Sequence, residues 1–282
     1  NLLTSNKDKL NIEQNNIHND KIENIVKKIH DNGYFVYDDF LSSDECDDIL
    51  SFCINSELNI RPNDLKNWSD KIEKTYFNQD NVKAVMYEMP KNKVLFKKNL
   101  SDIIFNSEIL LICEKYFNGK PIFDHSSLSI STSYSDKPDK KAAQLFHFDL
   151  DRPKWLKFLI YVSDVDNHNG PHAFVEGTHK DKGINSYILA NGYDRTPDEI
   201  VSKYYKDKIK NFIKKKGTLI IEDTRGLHKG TVLKSGFRCL LNIQFNSSNY
   251  GTKIEKQEIK AEYVDNKIYS QNKYTYQNLI IK

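Results

Sequence analysis

A chain of 282 residues, 38% apolar and 29% charged, can bury a substantial core in one domain, and it contains no apolar run long enough to span a bilayer. Forty-two basic residues against 39 acidic ones leave a formal net charge of only +3, which argues against a dedicated nucleic-acid binder. Cys46, Cys53, Cys113 and Cys239 have no C-x-x-C spacing and each sits in an apolar stretch, so buried free thiols and a reducing, cytoplasmic setting are expected. No secretory signal is visible, although a chain opening on Asn1 leaves a removed leader open.

Residues 1–16 are polar and expected to be poorly ordered. Ile22, Ile25, Val26 and Ile29 repeat at helical spacing, Gly33 stops that helix, and Tyr34-Phe35-Val36-Tyr37 reads as a strand. Ser42 with Glu45 has the capping-box pattern and opens a helix to about Ser56. From Lys83 the chain reads mostly as strands, interrupted by an apolar helix over about Ser107 to Phe117 that Gly119 ends. Strands are expected at about 121–133, 143–149, 155–163, 171–175, 217–222, 228–233 and 237–245. Many short strands with helices mainly at the start point to a mainly-β fold with flanking helices, a jelly-roll or cupin-like double-stranded β-helix barrel. One domain over residues 1–282 is expected, without internal repeats. The segment 180–216 is long for a connection and so suggests a functional insertion or lid. Within it Thr196-Pro197-Asp198-Glu199 marks a helix start leading to about Tyr205. Lys214-Lys215-Lys216 reads as a solvated charged face.

Four scattered residues carry the chemistry: His147, Asp149, His228 and Arg238. Two neutral imidazoles and one carboxylate can occupy one face of an octahedron and leave three positions open, the ligand set of non-haem Fe(II) oxygenases. An arginine's planar fork can hold a dicarboxylate by two parallel bonds. The H-x-D pair alone is a common chance pattern, equally compatible with ordinary strand-end residues. His228 and an arginine ten positions later shift the balance. If Val232-Leu233 and Phe237-Arg238 end a hairpin closed by Lys234-Ser235-Gly236, Arg238 lies opposite Val232, roughly 13 Å along the strand from His228. Period-two alternation then sets Leu240, Asn242 and Gln244 on the arginine's face, with Cys239, Leu241, Ile243 and Phe245 on the other.

Around these anchors the chain resembles the phytanoyl-CoA dioxygenase-like family of Fe(II)/2-oxoglutarate oxygenases. The resemblance lies in Ala143-Gln144-Leu145-Phe146-His147-Phe148-Asp149, in Leu159-Ile160-Tyr161-Val162-Ser163-Asp164-Val165, in Asn169-Gly170-Pro171, in Gly177-Thr178-His179-Lys180 and in Gly217 through His228. It is dense over about residues 125–246. It implies that His147, Asp149 and His228 bind iron, that Arg238 pairs with the distal carboxylate of 2-oxoglutarate, and that Gln144 and His172 contact this co-substrate. Gln144 has the wrong strand parity relative to His147, so a bulge or twist is needed there. Glu176-Gly177 stands where relatives usually carry Pro-Gly.

The same resemblance implies Fe(II), 2-oxoglutarate and O2 as reactants, with hydroxylation as the default outcome and succinate and CO2 released. Asp149 argues against halogenation, which replaces that carboxylate with a small residue. Two other readings are a cupin-like metalloprotein using Zn or Mn for isomerisation or hydrolysis, and an inactive relative acting as a binding module. The expected partner is a small polar molecule, a sugar or amino-acid derivative ahead of fatty acyl-CoA, with no nucleic acid and no membrane; oligomeric state is open. Lys157 is an alternative co-substrate contact, with a solvent-exposed lysine the simpler reading. His18 and His30 are expected to face solvent, and His125, His168 and His179 to be satisfied by local hydrogen bonds.

Overall fold

The computed structural model describes residues 19–60, 72–150, 152–191, 195–251 and 254–282; the expectations for residues 1–16 and for His18 lie outside them. In chain order the elements are α1 (Asn19–Asn32), β1 (Tyr34–Tyr37), α2 (Ser43–Ile54), β2 (Leu58–Ile60), β3 (Glu73–Thr75), β4 (Met86–Glu88), α3 (Lys98–Ile104), α4 (Ser107–Phe117), β5 (Ile122–Thr132), β6 (Trp155–Tyr161) and β7 (His172–Val175). There follow α5 (Ser186–Ala190), α6 (Asp198–Tyr205), β8 (Ile209–Phe212), β9 (Leu219–Glu222), β10 (His228–Gly230), β11 (Phe237–Asn246), β12 (Gln257–Ile259), α7 (Asn266–Gln271) and β13 (Leu279–Ile281).

Local chemistry explains the entry. Helix α1 buries Ile22, Ile25, Val26 and Ile29 on one face, and Gly33 ends it at φ +93°, where an added Cβ would lie 2.6 Å from the His179 ring. The expected capping box forms: Ser42 Oγ accepts from the Glu45 N–H at 3.2 Å, and the Glu45 carboxylate accepts from the Ser42 N–H at 2.8 Å. Helix α4 ends on Asn118 in the left-handed region at φ 56°, one residue before the expected Gly119. The stretch after Lys83 is less strand-rich than its sequence suggested, since a 3-10 turn over Lys91–Phe96 and α3 follow β4.

Eight strands form one sheet in the order β1-β9-β6-β11-β5-β4-β2-β3, and β10-β7-β8 form a second. Alternation along β11 splits its neighbours as expected. Cys239, Leu241, Ile243 and Phe245 join Leu128, Ile130, Phe158 and Ile160 in a core that α1 to α4 cover. On the opposite face, Leu159, Tyr161 and Ile220 of the large sheet meet Phe174 and Phe212 of the small one. The outer face of the small sheet carries Ala173 and Val175, which pack with Phe146, Ile188, Val201 and Leu227. The layers are therefore helices, large sheet, small sheet, then α5 and α6. Among the described residues the two sheets face each other without sharing a ladder, a jelly-roll arrangement with no closed barrel.

Two expected strands differ. No continuous strand spans 143–149; instead Phe146 bridges Thr196 and His147 bridges His228. The expected hairpin between β10 and β11 is absent. β10 pairs with β7, whereas β11 lies between β5 and β6, so Thr231 to Gly236 crosses from one sheet to the other, and Arg238 sits opposite Ser131 rather than Val232.

Candidate metal centre and adjoining cavity

The bridge between His147 and His228 brings the two rings together. Each backbone N–H donates to the other residue's carbonyl, at 3.0 and 2.8 Å, and residues directly opposite in an antiparallel pair project to one face. Their ring centroids are 4.2 Å apart. Asp149, two residues on, projects to the same side, and its backbone N–H is held by the Thr224 carbonyl at 2.8 Å. One nitrogen from each ring and one carboxylate oxygen lie within 4.8 Å of one another.

Backbone carbonyls fix the tautomer of both rings. His147 Nδ1 lies 2.9 Å from the Leu145 carbonyl, and His228 Nδ1 lies 3.0 Å from the Gly226 carbonyl. A carbonyl only accepts, so each Nδ1 must carry the hydrogen, and each Nε2 is left with its lone pair facing Asp149. Burial, reinforced by the neighbouring imidazole, holds His147 well below the usual histidine range, and burial lowers His228 to about 4. Burial works against ionisation of Asp149, yet the Lys157 ammonium and the two imidazoles outweigh it and keep its carboxyl well below the ordinary carboxylate range. Two neutral nitrogens and one anionic oxygen on one side form a donor set that fits a divalent first-row metal.

A cavity of about 230 Å³ opens beside these rings. His147 and His228 line it together with Lys157 and Leu159 of β6, His172 of β7, Gly230 of β10, and Arg238, Leu240 and Asn242 of β11. Ser127, Ser129 and Ser131 of β5 line it too; the register sets them opposite Asn242, Leu240 and Arg238. Arg238 is 5% exposed. Its Nη1 donates to the Gly170 carbonyl, its Nη2 reaches Ser131 Oγ at 3.4 Å, and its Nε has no partner. No carboxylate among the described residues pairs with it. Gly230 makes room for the guanidinium, since an added Cβ would lie 3.0 Å from Nη2.

The model of the family described as phytanoyl-CoA dioxygenase (PhyH) matches residues 29–238, a stretch that holds the three candidate ligands and ends on Arg238. The chain belongs to the phytanoyl-CoA dioxygenase family. No curated protein matches it by sequence. Solved structures with the same fold include HygX from Streptomyces hygroscopicus with nickel and 2-oxoglutarate bound, at 14% identity and TM-score 0.57, covering 84% of this chain and 90% of that one. The non-heme alpha ketoglutarate dependent epimerase SnoN from nogalamycin biosynthesis aligns at 13% identity and TM-score 0.55, over 81% and 84% of the two chains. EctD from S. alaskensis with bound Fe aligns at 15% identity and TM-score 0.55, over 87% and 83%.

Other residues of this family member fall in varied places. His172 lines the cavity with its ring centroid 5.9 Å from that of His228, and its Nε2 lies 2.8 Å from Glu222 Oε2. Gln144 is buried but turns into its own loop, where Oε1 accepts from the Asp139 N–H at 2.9 Å. Ala143, the residue before it, lies in the left-handed region at φ 56°. Lys157 is not the exposed lysine of the simpler reading: its Nζ lies 2.6 Å from Asp149 Oδ2. Asn242 faces inward with its Oδ1 unpartnered, whereas Gln244 turns to Asp124, donating Nε2–H to Oδ2 at 2.8 Å. His30 stacks on Tyr116 with centroids 4.6 Å apart, and His179 Nε2 meets the His30 carbonyl at 3.1 Å. Sequence reading missed Glu222 and the serine row. Both had a signal in strand parity: Glu222 shares the face of Ile220, and Ser127, Ser129 and Ser131 alternate with Leu128 and Ile130.

Proposed function

We propose that the protein is an Fe(II)- and 2-oxoglutarate-dependent oxygenase that hydroxylates a small polar molecule such as a sugar or amino-acid derivative. The observation that carries this reading is the pairing, along one cavity, of a three-donor metal site with a buried guanidinium that lacks a carboxylate partner. A buried charge without a counter-ion costs several kcal/mol, roughly, so an anionic ligand is the natural complement of Arg238. A diacid reaching from the metal to Arg238 satisfies both ends.

In this reading His147 and His228 present Nε2 to the metal, and Asp149 supplies the third ligand. Arg238 takes the distal carboxylate in its fork, and His172 is a further contact on the co-substrate's side. Gln144, whose Oε1 is held by the Asp139 N–H, would join them through its Nε2 donors. When bound, Fe(II) and 2-oxoglutarate supply O2-dependent oxidation of a C–H bond to C–OH, with one oxygen atom entering the product, the other entering succinate, and CO2 released. Ser127, Ser129 and Asn242 offer hydrogen-bonding groups along the cavity, and among the described residues no Phe, Tyr or Trp lines it; that suits hydroxyl and amine groups better than a fatty acyl chain. HygX is solved with hygromycin B bound and SnoN with nogalamycin RO, both small molecules.

Anaerobic optical titration tests the reading. Fe(II) and 2-oxoglutarate together, and neither alone, should produce a weak visible charge-transfer band. No band with both present would exclude it. Succinate formation across a panel of sugars and amino-acid derivatives then finds the substrate, and product mass separates hydroxylation, which adds one oxygen, from epimerisation, which adds none.

A further inference from the structure

The candidate ligands share their face with a cation. Lys157 stands on β6, opposite Glu222 of β9 and Gln244 of β11. It lines the cavity, and its ammonium donates to Asp149 Oδ2 at 2.6 Å. The two side chains are only 17% and 15% exposed, so this charge-assisted bond escapes the solvent screening that makes surface pairs weak. The two oxygens of Asp149 are consequently unequal: Oδ2 carries the ammonium and lies 3.6 Å from His228 Nε2, while Oδ1 lies 3.9 Å from His147 Nε2.

Resting on the metal reading above, we propose that Lys157 is a positioning residue that restricts Asp149 to one-oxygen ligation. A carboxylate can give a metal one oxygen or two. Two-oxygen ligation by Asp149 would fill one of the positions that a two-histidine, one-carboxylate face leaves open, and a chelating co-substrate together with O2 needs all of them. An ammonium on Oδ2 competes for that oxygen's lone pairs and withdraws electron density from it. Lys157 would thus keep the coordination sphere open without touching the metal.

Water-proton relaxation in the Mn(II)-loaded protein measures this without turnover, because it reports how many exchangeable waters the bound ion holds. Lys157→Met keeps the apolar stem and removes the charge, and should lower the relaxivity per bound Mn(II) by about a third, with the far-UV circular dichroism unchanged. Lys157→Arg, which restores a cationic donor, should recover the wild-type value. Equal relaxivity in the wild type and Lys157→Met overturns the proposal. Should Lys157→Met fail to fold, a crystal structure of the Mn(II)-loaded wild type decides: Lys157 on one oxygen and Mn(II) on the other supports it, and both oxygens on Mn(II) overturns it. A wild-type protein that binds no Mn(II) would instead sink the metal site itself, and the role of Lys157 with it.

Discussion

A histidine serves a metal only if one nitrogen is bare while the other is held. The Leu145 and Gly226 carbonyls supply that hold for His147 and His228, so the loss of a ligand should remove the metal without removing the fold. None of the three candidate ligands belongs to the large apolar core. Asp149→Ala is therefore expected to abolish stoichiometric Fe(II) binding and turnover while leaving the circular dichroism spectrum intact; full hydroxylase activity in that variant would refute the assignment. Arg238 should separate co-substrate binding from metal binding. A hydrogen bond to a charged group contributes about 1.5–3 kcal/mol, or about 10- to 100-fold in affinity. Arg238→Ala should raise the 2-oxoglutarate requirement by that factor and Arg238→Lys by less, with Fe(II) affinity almost unchanged in an anaerobic titration. The buried rings also set a pH dependence. In the metal-free protein His228 is lowered to about 4 by burial and His147 is lowered in the same direction, whereas both titrate near 6.5 once unfolded, approximately. The unfolded state therefore binds more protons between these limits. Stability should be fully present above pH 6.5 and fall as the pH drops toward 4, by up to ~1.4 kcal/mol per pH unit for each histidine. Urea midpoints that are the same at pH 7 and pH 5 would contradict this.

At the scale of elements, the site depends on strands from different sheets arriving side by side. Gly230 ends β10 beneath the guanidinium that β11 carries. A Cβ there would lie 3.0 Å from Arg238 Nη2, so Gly230→Ala is expected to displace the fork and raise the 2-oxoglutarate requirement several-fold, leaving Fe(II) affinity unchanged because His228 keeps its bridge to His147. Equal loss of both affinities would show that the strand, and not the fork, had moved. Alternation along β11 was legible in the sequence, because a strand with one face on a core must repeat every second residue. The partner of β10 was not. A short run such as His228-Lys229-Gly230 has no pattern that distinguishes a hairpin with β11 from a ladder with β7.

At the scale of the molecule, the segment 180–216 contributes none of its described residues to the lining of the cavity. It covers the outer face of the small sheet through Ile188 and Val201, and Thr196 bridges Phe146 next to the first ligand. It supports the site from behind. Val201 is fully buried, and an unpaired charge there costs several kcal/mol, roughly. Val201→Asp should therefore lower the melting temperature and weaken Fe(II) binding together, because this layer backs β10, which carries His228, and the segment that bridges it at His147. Reduced melting temperature with unaltered Fe(II) affinity would mean that the two layers are independent.

The order of the main strands, the helical start, the capping box at Ser42 and the inward face of Asn242 were all determined by local pattern, and the motif residues carried the family. Tertiary structure decided what depends on distance rather than sequence spacing. The large sheet seats Lys157 and Arg238, and the small sheet seats His172 and His228 across the cavity from them. Only the packing of one sheet on the other brings the Lys157 ammonium to the Asp149 carboxylate and leaves Arg238 buried with its Nε unpartnered and no carboxylate among the described residues beside it. A lysine reads as solvent-exposed by default because its charge favours water; a buried anion reverses that preference, and the anion's position is a property of the folded chain.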